Sequence, residues 1–298
     1  MKILNFGALN IDYVYQVPHF VLPGETLSST KMEMFCGGKG LNQSLALARA
    51  GATVYHAGCV GTDGAVLTNT LKESGVDISR VQTASCSSGH AIIQVDPSGQ
   101  NNILLYGGAN REISSAQISA AFEGMESDDL LLLQNEISGL PDIMRLGTEH
   151  GMRIILNPSP IDENLERLPL EQVSGFILNE LEGEALSGHS EAKKICKELL
   201  ERYSAEFVVL TLGAHGAMYA DQNGMVESPA FHVPVVDTTG AGDTFTGYFL
   251  SAYAKGLQPQ KCLEFANAAS SLAVGRKGAA SGIPWKKEVE DFLNQRKV

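Results

Sequence analysis

The stretch DTTGAGDTFTGYFL, residues 237–250, predicts a loop that turns directly into a helix. Gly240, Ala241 and Gly242 have little or no side chain and stand just before Asp243. Backbone N–H groups at a helix start lack partners and carry the positive end of the helix dipole, so small residues there let an anion approach. The stretch therefore predicts an anion hole beside an acidic side chain.

The carboxylate of Asp243 has two possible roles at this helix start. It would stand beside a phosphoryl group bound in the hole, placed to take a proton from an attacking hydroxyl. Alternatively, Asp243 caps the helix while the glycines make a tight turn, which is a common arrangement. These four residues alone leave both interpretations open.

A second glycine-rich junction between a strand and a helix occurs in FCGGKGLNQSLALARAG, residues 35–51. Its glycines admit a ligand close to the backbone, while Lys39 and Asn42 can donate hydrogen bonds to hydroxyl or phosphate oxygens. The alternative is a tight turn with a solvated lysine. The chain has no GxxxxGK[ST] motif and no GxGxxG after its first strand, so a P-loop is excluded and a dinucleotide-binding Rossmann site is disfavoured.

Strand-like and helix-like segments alternate along most of the sequence, for example in DLLLLQ followed by LPDIMRLGTEHG. This alternation predicts a mostly parallel sheet covered by helices on both faces. We find no linker-like stretch, so residues 1–298 are expected to form one α/β domain. Two strand pairs, around residues 12–36 and 88–107, do not fit the alternation and predict a small accessory sheet that forms a lid.

Composition excludes several classes of protein. The formal charge of −12 disfavours binding to nucleic acid or to an anionic membrane surface, and the longest apolar run is too short to cross a bilayer. The five cysteines form no CxxC pair and no signal peptide precedes them, which favours the cytoplasm. The seven histidines lack ligand-like spacing, so a zinc site is not expected.

Three separated motifs together resemble the ribokinase family of carbohydrate kinases, the PfkB superfamily. They are GALNID at residues 7–12, GGKGLNQ at 37–43 and DTTGAGDTF at 237–245, and their order and spacing match the family. Shorter pieces between and after them agree: GGAN, LLLQNE, NPSP, LNELE, LTLGAHG and RKGAASGIP. The resemblance covers essentially the whole chain and implies a three-layer α/β/α fold with a mostly parallel central sheet and a small β-sheet lid.

The resemblance also implies roles for individual residues. Asp243 would be the general base, with Gly240, Ala241 and Gly242 as the anion hole. Sugar hydroxyls would be bound by residues that include two at the end of the first strand: Asn10, Asp12, Gly38, Lys39, Asn42 and Glu136. The nucleotide would be bound by Asn179, Thr211, Gly213, Gly216 and Asn267.

Two metal ions are implied in addition to ATP. Glu182 would organise Mg²⁺ through water, and K⁺ would bind beside the anion hole, mostly through backbone carbonyls, at Asp237, Thr239, Ala273, Arg276 and Gly278. The sequence departs from the family after RKGA, where Ser281 and Gly282 leave the register of one potassium ligand open. The lid would also join two copies into a homodimer.

The implied activity is transfer of the γ-phosphoryl group of ATP to a primary hydroxyl of a small sugar, with D-ribose the best candidate. Fructose, deoxyribose and nucleosides are rival substrates. Sugar phosphates are disfavoured, because beyond Lys39 the lid segments offer only Lys31 as a cation. A sugar-binding regulator without activity and a dehydrogenase are the alternatives from other classes.

Overall fold

The computed structural model describes residues 1–296, and in this part of the chain thirteen strands form a nine-stranded sheet and a four-stranded sheet. The strands are β1 Ile3–Phe6, β2 Asn10–Gln16, β3 Lys31–Gly37, β4 Val54–Val60, β5 Asp77–Thr83, β6 Gly89–Val95, β7 Asn101–Tyr106, β8 Leu130–Gln134, β9 Arg153–Asn157, β10 Gly175–Asn179, β11 Phe207–Thr211, β12 Ala217–Asp221 and β13 Gly224–Ser228.

The helices alternate with these strands and then dominate the last part of the chain. They are α1 Lys39–Arg49, α2 Ala65–Glu73, α3 Ser115–Ala121, α4 Leu140–Glu149, α5 Glu180–Ser187, α6 Ala192–Tyr203, α7 Ala241–Tyr253, α8 Pro259–Val274, α9 Ala279–Gly282 and α10 Lys286–Gln295. None of the helices among residues 1–296 is long and apolar enough to cross a membrane.

The large sheet has the order β13-β12-β11-β10-β9-β8-β1-β4-β5 and separates two hydrophobic cores. Strand β8 shows why: Leu130 and Leu132 point into one core, while Leu131 and Leu133 point into the other, so a continuous apolar run is buried on both faces. Helices α1, α7 and α8 pack on the first face, and α3, α4 and α6 on the second. The predicted three-layer α/β/α fold is confirmed.

Both edges of the large sheet differ from the simple alternation. The pattern does not predict β5, whose largely exposed residues pair with β4 at one edge, nor the hairpin of β12 and β13 at the other. Strands β12 and β13 are antiparallel to their neighbours, whereas the strands from β11 to β5 are parallel. Strands β5 and β13, which form the two edges, gain little burial, so their sequences carry a weak periodic signal, whereas β12 is buried between β11 and β13.

The small sheet has the order β3-β2-β6-β7, with β2 and β6 parallel at its centre and the outer pairs antiparallel. It corrects the expectation for Asn10 and Asp12. These residues do not end the first strand, which stops at Phe6, but lie on β2 in the small sheet. The chain packs closely at this break, since a Cβ added at Gly7 would lie 2.6 Å from the Cα of Gly40.

Candidate active site

Asp243 lies in the first turn of α7 and is 7% exposed. Gly240 occupies the N-cap position with a left-handed φ of 73°, so the helix begins without a side-chain cap. The Asp243 carboxylate instead accepts hydrogen bonds from two side chains of α1: Asn42 Nδ2 at 3.0 Å from Oδ2 and Gln43 Nε2 at 2.9 Å from Oδ1. Capping of α7 is therefore not the role of this carboxylate.

The close approach of α1 to α7 makes these contacts possible. Gly247 faces α1, and a Cβ at this position would lie 2.4 Å from the Cβ of Ala46. Only a residue without a side chain lets the two helix backbones approach this far. The second glycine-rich junction and the first stretch are thus brought together, although about 200 residues separate Asn42 and Gln43 from Asp243.

Lys39 stands at the start of α1 between several acids. Its backbone N–H donates to Glu136 Oε2 at 2.8 Å. Burial opposes the charged form of the side chain, but the carboxylates of Asp243, Glu136 and Glu182 outweigh that effect and raise the pKa of Lys39. Burial also raises the pKa of Glu136, with Lys39 acting in the opposite direction. The site therefore combines a stably protonated ammonium with buried carboxyl groups.

Asp12 lies on the small sheet, directly over the backbone of Gly37. A Cβ at Gly37 would lie 2.1 Å from Asp12 Oδ2, so this carboxylate position requires glycine there. Burial, and secondarily the charge of Glu136, raise the pKa of Asp12 to about 7. The neighbouring Asn10 is buried, and its Oδ1 accepts a 2.8 Å hydrogen bond from Asn110 Nδ2.

A cavity of about 200 Å³ opens at the start of α7. Most of the predicted catalytic and phosphate-side residues line it: Lys39, Asn179, Glu182, Thr211, Gly240, Ala241, Gly242 and Asp243. A second cavity of about 360 Å³ is lined by the predicted nucleotide residues Thr211, Gly213, Gly216 and Asn267, together with Phe231 and His232. The two cavities share Thr211, Thr238, Ala241 and Gly242 and so adjoin each other.

Several of the predicted nucleotide and magnesium residues have structural contacts as well. Asn179 and Glu182 form a capping box at the start of α5: Asn179 Oδ1 accepts from the Glu182 N–H at 2.9 Å, and Glu182 Oε2 accepts from the Asn179 N–H at 3.0 Å. The Asn267 amide donates to the carbonyls of Ser228 and Pro229. Each of these side chains fixes local backbone beside the cavities.

The residues predicted to bind a monovalent cation lie on two adjoining loops. Asp237 Oδ1 accepts from the backbone and hydroxyl of Thr239, and its Oδ2 accepts from Gly278 N at 2.8 Å. Burial opposes the charge of Asp237, but these hydrogen bonds outweigh it and lower its pKa. The Ala273 carbonyl accepts from Arg276 N at 3.0 Å. Within residues 1–296 no group of three or more His, Cys, Asp or Glu side chains is arranged to hold a metal ion.

Comparison with known proteins identifies the family. Residues 1–286 match the sequence profile of the family described as pfkB family carbohydrate kinase. The chain belongs to the pfkB family of carbohydrate kinases. A ribokinase of Haemophilus influenzae is 34% identical to this pfkB-family chain over 297 residues, which cover 96% of each protein.

Solved structures of similar proteins share the fold of this pfkB-family chain. A ribokinase of Thermotoga maritima has a TM-score of 0.88 at 33% identity, with 99% of both chains covered. A ribokinase of Arabidopsis thaliana, solved in complex with ribose and ATP, has a TM-score of 0.87 at 28% identity, with 98% of each chain covered. The resemblance stated from the motifs is confirmed.

Three polar residues of this pfkB-family site had no predicted role, although each lies in a quoted motif. Gln43 ends GGKGLNQ and contacts Asp243 directly. Asn110 ends GGAN and holds Asn10. Asn157 begins NPSP and accepts a hydrogen bond from Gln43 at 3.1 Å. Their place in these motifs could have indicated a role for them. Their contacts could not be predicted, because the partner of each side chain is distant in sequence.

Proposed function

We propose that this chain transfers the γ-phosphoryl group of ATP to a primary hydroxyl of D-ribose, giving ribose 5-phosphate and ADP. The observation that supports this most strongly is the position of the buried Asp243 carboxylate, which lines the cavity at the start of α7 together with Lys39. Membership of the pfkB family and the ribokinase relatives support the same reaction.

In the proposed mechanism Asp243 accepts the proton of the sugar hydroxyl. The hydroxyl oxygen then forms its bond to the γ-phosphorus while the bond from that phosphorus to the oxygen of the leaving ADP breaks. Backbone N–H groups at Gly240, Ala241 and Gly242 would bind the transferred group, because a helix start attracts anions. Without ligand the Ala241 N–H donates to the Thr238 carbonyl at 3.2 Å, so it would have to share or exchange that bond. Lys39 neutralises part of the phosphate charge, which the raised pKa of its ammonium favours.

Sugar and nucleotide would occupy neighbouring parts of the site. Asn10, Asp12, Gly38, Lys39, Asn42 and Glu136 would bind the sugar, whose hydroxyls can donate to the carboxylates and accept from the amide and ammonium groups. ATP would extend from the start of α7 into the 360 Å³ cavity, with its base near Asn267 and its phosphates near Thr211, Gly213 and Gly216. Asn179 lines the phosphate side.

Magnesium fits beside Glu182. Only Oε2 of this buried carboxylate takes part in the capping box, and the side chain lines the cavity next to Lys39 and Asp243. Its charge would therefore hold hydrated Mg²⁺, which prefers to keep several of its waters. When bound, the ion neutralises charge on the phosphates of ATP.

Glu182→Gln separates the proposed magnesium role from helix capping. Glutamine also serves in a capping box, so thermal stability should stay near wild type, whereas the Mg²⁺ concentration for half-maximal rate should rise about tenfold. A magnesium titration of ADP production measures this, with Glu182→Ala as the control that removes both roles. An unchanged magnesium requirement in Glu182→Gln would show that Glu182 caps α5 but does not help to bind Mg²⁺.

Potassium activation is proposed for the loops that contain Asp237, Thr239, Ala273, Arg276 and Gly278. Backbone carbonyls and a carboxylate are the oxygen ligands that such an ion takes, and the Asp237 hydrogen bonds hold the two loops together beside the helix start. We expect higher turnover in potassium chloride than in choline chloride at equal ionic strength. Equal rates in both salts would contradict the assignment.

A homodimer formed through the small sheet is proposed as well. Large apolar side chains on its strands are exposed, among them Met34, Ile103, Leu104 and Leu105, and a second copy would cover them. Sedimentation equilibrium should give twice the mass of one chain.

The five free thiols agree with the reducing cytoplasm as the proposed compartment.

A panel of acceptors tests the proposed activity directly. ADP release coupled to a reporter reaction is measured with ribose, 2-deoxyribose, fructose and adenosine, with and without potassium. The highest kcat/KM is expected for ribose. A higher value for another acceptor would reassign the substrate, and ATP binding without turnover on any of the four would contradict the proposal in favour of a sugar-binding regulator.

A further inference from the structure

A chain of buried side-chain amides stands behind Asp243. Gln43 Nε2 donates to Asp243 Oδ1 at 2.9 Å and to Asn157 Oδ1 at 3.1 Å. Gln43 Oε1 accepts from Gln134 Nε2 at 2.7 Å, and the same nitrogen donates to Asn5 Oδ1 at 2.9 Å. Every member is at most 9% exposed. The network thus joins β1, β8, β9 and α1 to the first turn of α7.

Backbone carbonyls decide which end of each amide faces its neighbour. The carbonyl of Gly40 can only accept, so Asn5 presents Nδ2 to it, at 2.8 Å, and turns Oδ1 toward Gln134. Gln134 must then donate, which turns Oε1 of Gln43 toward it and leaves Gln43 Nε2 facing Asp243. The orientation of Gln43 is therefore imposed from the core.

The other side of the network requires the same orientation. Asn157 Nδ2 donates to the carbonyl of Ile177 at 2.9 Å, so its Oδ1 remains as an acceptor for Gln43. Two independent carbonyls, on α1 and β10, thus agree that Gln43 offers N–H groups to Asp243. Asn42 differs, because its Oδ1 is buried without a partner among residues 1–296 and no carbonyl fixes its orientation.

The far end of the network carries no charge near neutral pH. Asn5 Nδ2 also donates to Ser44 Oγ at 2.8 Å, and Ser44 Oγ lies 2.8 Å from His56 Nδ1. Burial lowers the pKa of His56 to about 4, so the imidazole stays neutral above about pH 5. The amides and the serine have no ionisable group, so between pH 6 and 9 none of the residues behind Asp243 in the network changes its charge.

We propose that Gln43 is a positioning residue for phosphoryl transfer: held by Gln134 and Asn5, it fixes the plane and direction of the Asp243 carboxylate so that a free lone pair faces the acceptor hydroxyl. The inference rests on the proposed role of Asp243 as base. A base turned away from its proton loses rate even when substrate still binds, and misplacement by about 1 Å can cost about 100-fold.

Gln43→Met tests the positioning without adding a charge. The methionine side chain has a similar length but cannot donate to Asp243. We expect kcat for ribose to fall about 10- to 100-fold while KM for ribose changes less than about threefold, because Gln43 does not belong to the sugar-binding set. Equilibrium binding of ATP, measured by calorimetry, should stay near wild type and reports the folded fraction.

Gln43→Glu gives a signature that a merely structural role would not produce. With one shared proton, the new carboxyl group can donate to Asp243 and accept from Gln134, as the amide does, and it gives up only the hydrogen bond to Asn157. As pH rises that proton is lost, two carboxylates face each other, and kcat should fall from pH 6 to pH 9. Lys39 and Glu136 interact electrostatically with Asp243, and Glu182 lines the same cavity. All three are the same in wild type, so the difference between the two profiles reports the new group.

Gln117→Glu is the matched control for a buried carboxyl group. Gln117 is 2% exposed on α3 and donates to the carbonyl of Gly58 at 2.6 Å, on elements that do not line the active-site cavity. Its replacement should lower stability as pH rises but leave the pH profile of kcat per folded molecule like that of wild type. Thermal unfolding at each pH gives the folded fraction for both variants.

The outcomes separate this inference from the proposed function. Falling kcat at high pH in Gln43→Glu, together with a wild-type profile in Gln117→Glu, supports positioning by Gln43. The inference is overturned if Gln43→Met keeps the kcat of the wild-type protein, or if the pH profile of Gln43→Glu matches that of the wild-type protein. In either case the proposed function still stands as long as the wild-type protein turns over ribose. Absence of turnover in the wild-type protein on every acceptor would overturn both.

Discussion

Asp243→Asn is expected to lower kcat for ribose phosphorylation by about 100- to 10,000-fold, the usual range for loss of a general base. The new amide has nearly the same shape as the carboxylate but cannot take the hydroxyl proton. Residual turnover would come from the anion hole, Lys39 and the positioning of the two substrates. A coupled ADP assay at saturating ribose and ATP measures the change.

The contacts of Asp243 predict that this variant still folds. An amide at this position must turn its N–H₂ toward either Asn42 or Gln43, both of which now donate to the carboxylate. Gln43 is held in its orientation by Gln134, but Asn42 has an unpartnered buried Oδ1 in the described part of the chain. Asn42 can therefore turn over and accept the new donor, which keeps the hydrogen-bond count.

The control for this prediction is a comparison of binding and stability with turnover. Thermal unfolding and calorimetric binding of ATP should both stay close to wild type in Asp243→Asn. Asn42→Ala is the matched variant, since it removes the neighbouring donor but leaves the base: its KM for ribose should rise, because Asn42 belongs to the predicted sugar-binding set, but its kcat should fall far less than that of Asp243→Asn. Near wild-type turnover in Asp243→Asn would show that another group takes the proton, and the assignment of the base would be wrong.

The parts of the fold that could be predicted from sequence are those with a strong local signal. Apolar runs such as Leu130–Gln134 predict buried parallel strands, because both faces of the strand meet a hydrophobic core. The glycine-rich starts of α1 and α7 predict helix starts, while their local chemistry alone leaves ligand binding and a tight turn as alternatives. The edge strand β5 is mostly exposed, so its sequence lacks the apolar pattern that would have predicted a strand.

The supporting contacts of the site could not be predicted, because they join side chains far apart in sequence. Gln43 and Asp243 are 200 positions apart, and Gln134 is 129 positions from Asn5. Isolated buried amides leave no periodic pattern. The spacing of Asn179 and Glu182 shows a further limit. It is the spacing of a capping box, which the structure contains, and the resemblance to the family also implies a magnesium role for Glu182, so the sequence is compatible with both roles.

Asp12→Asn is expected to lower kcat/KM for ribose by about 100- to 1,000-fold, because in the proposed site two sugar hydroxyls would donate to this buried carboxylate and both hydrogen bonds would be weakened together. The same change should stabilise the protein without sugar. Burial, with a smaller effect of Glu136, raises the pKa of Asp12 from 3.8 to about 7. Ionised Asp12 therefore lowers the free energy of unfolding, and an uncharged amide at this position does not.

The sign of this effect follows from proton binding. Between about pH 4 and 7 the folded protein holds a proton on Asp12 that the unfolded chain has released. The free energy of unfolding therefore falls as pH rises through this range, and the loss is complete above about pH 7. The gain in melting temperature from Asp12→Asn should accordingly be smaller at pH 5 than at pH 8. The exposed Asp128 provides the control, since Asp128→Asn should change neither stability nor activity. Lower stability of Asp12→Asn at pH 8 would show that the ionised Asp12 carboxylate does not destabilise the folded protein. Unchanged kcat/KM for ribose would show that this carboxylate does not bind the sugar.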